Sequence, residues 1–431
     1  MKNFVLLITV VVSLSAFAQQ PFSPGSIVVV RAGSPDSALP ASSSPVFLEE
    51  FDPNGKHVQT ITIPYEGQAK LTLSGRATAE GVLRLSADGK LLTLAGYDLV
   101  PGVSSPTITA TAAGRSIAMI GHQGQVSIPN ILPIDQLYPN NAFRAVVTDN
   151  GARYWTAGGT QGVRFFRNGE TTSTLISGTA TNLRTVDIQY GNLFLSHGSG
   201  TVNTRIMQVG ENLPDTAGVI ASALPGLPTS GVAGCDFVML DLENGIDGPD
   251  VIYLADELGG IRKFSLVDGA WVSNGVLGSA ADAFRGLTGI QIPGGGIFYA
   301  TARGGNGATG GGQLVRFADI SGYNQPISGN PEVIAQAAVN TAFRGVALAP
   351  MAEKLAVMTY TFNGNGNWSN SENWVNGQVP PEVLPAGHQI VIAPANDGTC
   401  IVDIQQKIDK GGIIIVAAGK TLEITGDLQI N

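Results

Sequence analysis

The sequence predicts an all-β protein: a six-bladed β-propeller followed by a short β-solenoid-like module. Three observations predict it. First, one strand opening recurs as Ala142-Phe143-Arg144-Ala145-Val146, Asn182-Leu183-Arg184-Thr185-Val186, Ala283-Phe284-Arg285-Gly286-Leu287 and Ala342-Phe343-Arg344-Gly345-Val346. The stretch between Arg184 and Arg285 is wide enough for two units of the roughly 40–60 residues that a propeller blade occupies. Second, most copies precede short β-patterned runs separated by Gly, Asn and Asp turns, which suits a blade of about four strands. Third, beyond Pro350 the runs shorten and fall at rung-like intervals, as in a stacked coil.

The elements follow in order. Residues 1–18 carry the marks of a signal peptide: Met1-Lys2-Asn3 as a positive start, an apolar run over 4–14, and Ala16-Phe17-Ala18 as a small-x-small cleavage site. The run is too short to span a bilayer, and nothing later is long and apolar enough to do so. The chain is therefore expected to be exported, to the periplasm, the cell surface or the medium. Residues 26–31, 45–51 and 57–64 form three strands, with Asp52-Pro53-Asn54-Gly55 as the turn between the last two. The first inner strand is Glu80-Gly81-Val82-Leu83-Arg84-Leu85-Ser86, followed by the Asp88-Gly89 turn and Leu91-Leu92-Thr93-Leu94-Ala95. Inner strands then recur near residues 143, 183, 237, 284 and 343, which makes six blades, or seven if 97–140 holds another.

The last inner strand, at Phe343, has no blade partners after it, and the three N-terminal strands have no inner strand before them. Each supplies what the other lacks, so the ring of residues 21–350 is expected to close by pairing its two ends, which removes exposed sheet edges. Residues 351–431 form the C-terminal module, with Trp368 and Trp374 in its lead and turns at Asn396-Asp397-Gly398, Ala418-Gly419-Lys420 and Gly426-Asp427.

Composition agrees with many tight turns around an ample core: Gly 56, Pro 24, 43% hydrophobic and 13% charged residues among 431. A net charge of −9 excludes a broad nucleic-acid surface and disfavours electrostatic docking on anionic lipid. The two cysteines, Cys235 and Cys400, fall in different modules and are read as buried, unpaired small hydrophobes. Their spacing alone does not fix whether they pair.

Val238-Met239-Leu240-Asp241-Leu242, Val251-Ile252-Tyr253-Leu254-Ala255-Asp256 and Gly260-Ile261-Arg262-Lys263-Phe264-Ser265-Leu266 resemble a set of secreted bacterial β-propeller proteins of unassigned function. The opening Pro24-Gly25-Ser26-Ile27-Val28-Val29 and the Phe51–Gly55 turn are similar too, so the resemblance spans roughly residues 24–350. It implies a fold and no activity. The Trp-rich lead and the closing Gly419-Lys420-Thr421-Leu422-Glu423-Ile424 resemble the first turns of secreted parallel β-helix modules, and distantly the eight-glycine type of extracellular domain.

Four groups of residues carry candidate chemistry. Arg144, Arg184, Arg285 and Arg344 are expected to converge at the channel, either as an anion site or as struts paired to a neighbouring blade. Asp236 and Glu80 are the expected partners, and strut pairing is the favoured reading. Asp241, Glu243, Asp247 and Asp250 form an acidic loop suited in type to calcium, but its spacing departs from the EF-hand pattern and a plain inter-strand turn is favoured. Trp368 and Trp374 suit sugar stacking, or more simply the closing of a solenoid end. His57, His122, His197 and His388 lie far apart, and no His-Glu-x-x-His, Gly-x-Ser-x-Gly or Cys/His cluster occurs.

No cofactor is required by any of this. The expected function is non-enzymatic recognition or scaffolding of an extracellular ligand or surface polymer at a propeller face. The rival readings are a propeller hydrolase, lyase or lactonase acting on a carbohydrate-like or acidic substrate, and a structural adhesin.

Overall fold

The computed structural model describes residues 19–105, 114–133, 135–198, 205–352, 358–385, 387–409 and 411–430. The expected signal peptide therefore lies outside the described residues. Among those residues there is no α-helix, and two single-turn 3-10 segments, Ser371–Asn373 and Val375–Gly377, break an otherwise all-β chain.

Six antiparallel sheets form the propeller. The first blade is Leu83–Leu85, Leu91–Tyr97, Arg115–Gly121 and Val126–Leu132, so residues 97–140 supply outer strands of this blade. The second is Phe143–Thr148, Arg153–Gly158, Val163–Arg167 and Thr174–Ser177, and the third Leu183–Gln189, Asn192–His197, Ile206–Val209 and Ala221–Ala223. The fourth is Gly234–Leu240, Val251–Asp256, Gly260–Val267 and Ala270–Leu277. The fifth joins Gly286–Ile292, Gly295–Ala302, Gln313–Asp319 and Glu332–Gln336.

The sixth blade takes its inner strand, Thr341–Leu348, from the late part of the chain and its outer strands from the start. Ile27–Ala32 lies antiparallel between that inner strand and Val46–Phe51, with Val29 opposite Val346 on one side and Glu49 on the other. His57–Thr62 completes the sheet. On the inner side Gly310–Gly311 adds a parallel bridge to Thr341 and Ala342. Only glycine fits there, because a Cβ on Gly310 would stand 1.9 Å from the Thr341 carbonyl oxygen. The glycine-rich run over residues 304–312 is thus pinned along the ring's closing strand.

Apolar side chains from facing sheets fill the gaps between blades. Trp155 and Phe165 of the second blade pack with Leu183, Val186 and Leu195 of the third, and Tyr253 of the fourth meets Phe298 of the fifth at 4.1 Å between ring centres. Such aromatic burial is the main favourable term holding neighbouring blades together.

The inner strands of the second to sixth blades share one irregularity that positions the site. In the second and third blades the pairing slips between Phe143 and Ala145 and between Leu183 and Thr185, leaving Arg144 and Arg184 as the extra residues. In the fourth the same slip falls on Cys235. In the fifth, Arg285 N donates to Thr301 O while Gly286 also faces Thr301. In the sixth, Arg344 and Gly345 share the place opposite Val30, since Arg31 faces Phe343 and Val29 faces Val346. A bulge re-aims its extra side chain, so these arginines turn toward the ring's axis rather than simply alternating with the preceding Phe or Leu.

The C-terminal module is a three-sided parallel coil. Thr359–Phe362, Gln389–Ile392 and Ile413–Val416 stack in register on one side. Gly366–Asn367, Thr399–Val402 and Thr421–Ile424 stack on the second, and Val383–Leu384, Gln405–Ile408 and Asp427–Ile430 on the third. Phe362, Leu384, Ile392, Cys400 and Val402 fill its interior. Ile413 and Ile415 pack outward against the propeller cluster containing Ile292 and Ile297.

Candidate functional site

The bulged inner strands bring Arg184, Arg285 and Arg344 to one pocket at the ring's axis, walled also by Glu80, Cys235 and Asp236. Arg144 joins them electrostatically, since its charge acts on Glu80 and it is itself repelled by Arg184. The enclosed space is about 20 Å³. That is room for roughly one water-sized group, so a ligand would insert an oxygen-bearing end and leave its body outside.

The four guanidinium groups are held unequally. Glu257 bridges two of them: Arg184 Nη2 donates to its Oε1 at 3.0 Å and Arg285 Nε to its Oε2 at 2.9 Å. Arg285 also reaches the Gly304 carbonyl at 3.3 Å. Arg144 Nη1 donates to Asn182 Oδ1 and the Leu183 carbonyl, both at 2.8 Å. Among the described residues Arg344 donates only to main-chain carbonyls, of Gly75 at 2.8 Å and of Gly305 and Phe343 at 3.1 Å. Among the described residues neither Arg144 nor Arg344 has a carboxylate within ion-pair distance. Burial, followed by the repulsion of Arg184, pushes the Arg144 pKa down to about 10. Burial and Arg285 do the same to Arg344, also to about 10. Both remain cations at neutral pH, with their charge undersupplied.

The expected partners are occupied elsewhere. Glu80 is buried and accepts from Ser74 N at 2.9 Å, Ser74 Oγ at 3.1 Å and Tyr97 Oη at 2.7 Å. Burial outweighs those bonds and raises its pKa. Asp236 pairs with Arg84, which also donates to Asp187 Oδ2 at 3.3 Å. This buried trio crosses the channel from the first blade to the third and fourth. Burial opposes the Arg84 charge, but the two carboxylates more than offset it and raise its pKa, while burial lifts both aspartates.

Two of these residues were not singled out by sequence reasoning. Arg84 sits in the first inner strand but outside the recurring Phe-Arg opening, so the repeat does not flag it. Glu257 lies in the tight turn between Val251–Asp256 and Gly260–Val267, and no local pattern marks it. Cys235 occupies the fourth blade's arginine position. Its thiol is free, and burial and then Glu257 push its pKa up to about 12.

The remaining candidates lie elsewhere. In the acidic loop Asp250 is buried and accepts from Leu242 N at 2.9 Å and from Glu243 N at 2.6 Å, which folds the turn back on itself. Asp241, Glu243, Asp247 and Asp250 do not converge: among the described residues no group of three or more His, Cys, Asp or Glu is placed to hold a metal ion. Trp368 and Trp374 are edge-to-face at 4.8 Å, and Trp374 Nε1 donates to the Trp368 carbonyl at 2.7 Å. Both are buried in the coil's interior, so the ring faces that sugar stacking would need are spent on packing. Cys400 is buried there too and is free.

No family model and no curated protein matches the chain. Similar solved structures include a structural-genomics protein of unknown function from Bacteroides thetaiotaomicron VPI-5482, 10% identical over 69% of this chain and 76% of that one, TM-score 0.41. Another is the periplasmic gluconolactonase PpgL of Pseudomonas aeruginosa, 13% identical over 72% of this chain and 83% of that one, TM-score 0.37. A third is the β-propeller domain of Myceliophteria thermophila Cps50 (Swd1), 10% identical over 67% and 78% respectively, TM-score 0.35. Likenesses this low carry no functional argument. The six-bladed ring rests on its own strand pairing.

Proposed function

We propose that this is an exported recognition or scaffolding protein that binds an acidic group of an extracellular ligand at the arginine-lined end of the propeller. The observation that carries the reading is the charge imbalance there: four guanidinium groups against the bridging Glu257, with Arg144 and Arg344 held by neutral acceptors. A carboxylate or phosphate oxygen supplies the missing countercharge, and the planar fork of arginine matches its geometry. The small enclosed space favours the terminal acid of a larger molecule over a free metabolite. Catalysis is not part of the reading, because Glu80, Asp236 and Glu257 are already committed to hydrogen bonds or ion pairs.

The test is calorimetric titration of the chain with citrate and with inorganic phosphate. The Arg144→Ala/Arg344→Ala double variant is expected to bind at least one of them about tenfold more weakly, a loss of about 1.4 kcal/mol, while keeping the wild-type circular dichroism. Unfolding of the double variant would make these arginines struts and end the proposal. So would binding that survives the substitutions.

A further inference from the structure

The Arg84–Asp187–Asp236 trio divides the channel, and its other half is a separate chamber of about 440 Å³. That volume lies within the roughly 300–1,000 Å³ of small-molecule sites. We propose that this chamber is a second binding site, for an organic cation: an amine whose ammonium group sits at Asp187 and whose apolar body fills the space up to Tyr190.

The sign of the charge comes from the floor. Arg84 stands there against two carboxylates, donating to Asp187 Oδ2 at 3.3 Å and pairing with Asp236. One guanidinium does not neutralise both, so the buried trio is left net negative. Burial, which Arg84 only partly offsets, raises the pKa of both aspartates, as expected of carboxylates short of positive charge. Asp187 is the carboxylate that meets the chamber, with a side chain 7% exposed against 2% for Asp236. Its Oδ1 accepts one bond among the described residues, from Ile188 N at 2.9 Å, and a carboxylate oxygen has room for a second. A cation placed there gains more than it would in water, because the surroundings screen it less.

The side chains above the floor also call for a donor. Gln189 Nε2 is tied to Asp187 at 2.6 Å, Tyr190 Oη donates to Gln291 Oε1 at 3.2 Å, and Gln291 Nε2 donates to the Asp241 carbonyl. Gln189 Oε1, by contrast, accepts no bond among the described residues. An ammonium group has three N–H donors and no acceptor, so it can serve Asp187 and Gln189 together.

The body of the ligand follows from the walls. Leu85, Val238, Leu240, Leu287 and Leu348 bring apolar surface from the first, fourth, fifth and sixth blades. Tyr190 opens the turn that follows Leu183–Gln189, so it stands about 10 Å of strand beyond Asp187. Its half-exposed ring lines the chamber's opening. A ligand that touches both residues is therefore longer than a simple ion, and its apolar part packs against the leucines with the tyrosine ring over it. An inorganic cation finds too few ligands, since among the described residues no three His, Cys, Asp or Glu are placed to hold one.

Saturation-transfer NMR on the full chain tests this with phenethylammonium, neutral phenylethanol, anionic phenylpropionate, and methylammonium, which has the charge without the body. Phenethylammonium is expected to bind about tenfold more tightly than any of the other three. Inorganic phosphate, a probe of the arginine mouth, should not displace it. Asp187→Asn keeps the shape, removes the charge and should weaken binding about tenfold. Tyr190→Asn suits the turn, where φ is 47°, removes the ring and should weaken binding about fivefold. Circular dichroism accompanies Asp187→Asn, and if that variant unfolds, Tyr190→Asn alone decides. The proposal is overturned if phenethylammonium receives no transfer, if phenylethanol or methylammonium binds equally well, if phosphate displaces it, or if binding survives Tyr190→Asn undiminished.

Discussion

Glu80 shows how one buried carboxyl links the site to stability. Its pKa is raised because burial outweighs three accepted hydrogen bonds. The folded protein therefore holds the proton more tightly than the unfolded chain. The stability this gives is fully present below the unfolded pKa near 4.5 and is lost as pH rises through the raised value. Glu80→Gln has no charge to desolvate, so its melting temperature relative to wild type should increase from acid toward neutral pH. A difference that is flat with pH, or that runs the other way, would mean Glu80 ionises freely in the fold. The same residue illustrates what sequence reading reaches. That Glu80 opens the first inner strand is a local fact. That it turns to Ser74 and Tyr97 and not to an arginine depends on side chains brought in from other strands.

Among the elements, the closing strand Ile27–Ala32 matters most because it is bonded on both sides. Val29→Pro would remove one ladder hydrogen bond and leave a carbonyl without its donor, a cost of about 1–3 kcal/mol before any strain is added. Val58→Pro is the control, since Val58 lies in the outer strand His57–Thr62 where the pairing already slips between Glu50 and Phe51. Its effect should stay within about 0.5 kcal/mol. Urea unfolding of the two variants should show a clearly lowered midpoint only for Val29→Pro, and equal midpoints would mean that the closure adds little. The pairing itself was legible, because an orphan inner strand at one end and three orphan outer strands at the other have one economical solution. The bulges were not. Phe-Arg alternation predicts two faces of a flat strand, whereas an extra residue is recognised only against its partner strand.

For the molecule as a whole, the question is whether the coil stabilises the ring. Ile413 and Ile415 cover Ile292 and Ile297, and Gln389 Nε2 approaches the Gln291 carbonyl at 3.5 Å. A chain ending at Pro350 is expected to keep one cooperative thermal transition, lowered by a few degrees for the apolar area uncovered. Loss of any cooperative transition would make ring and coil a single folding unit and remove the boundary at residue 351.

Short-range pattern carries blade count from recurring inner strands, ring closure from leftover strands at both ends, and a coil from rung-spaced turns. Who neutralises whom, by contrast, is set only in the folded ring. Glu257 reaches two arginines from a turn in a neighbouring blade, Asp236 is claimed by Arg84 across the channel, and Arg144 and Arg344 are left with neutral acceptors. The physical reason is distance. Alternation and turn chemistry act over a few residues, whereas the charges around the axis come from every blade and meet only once the ring has closed.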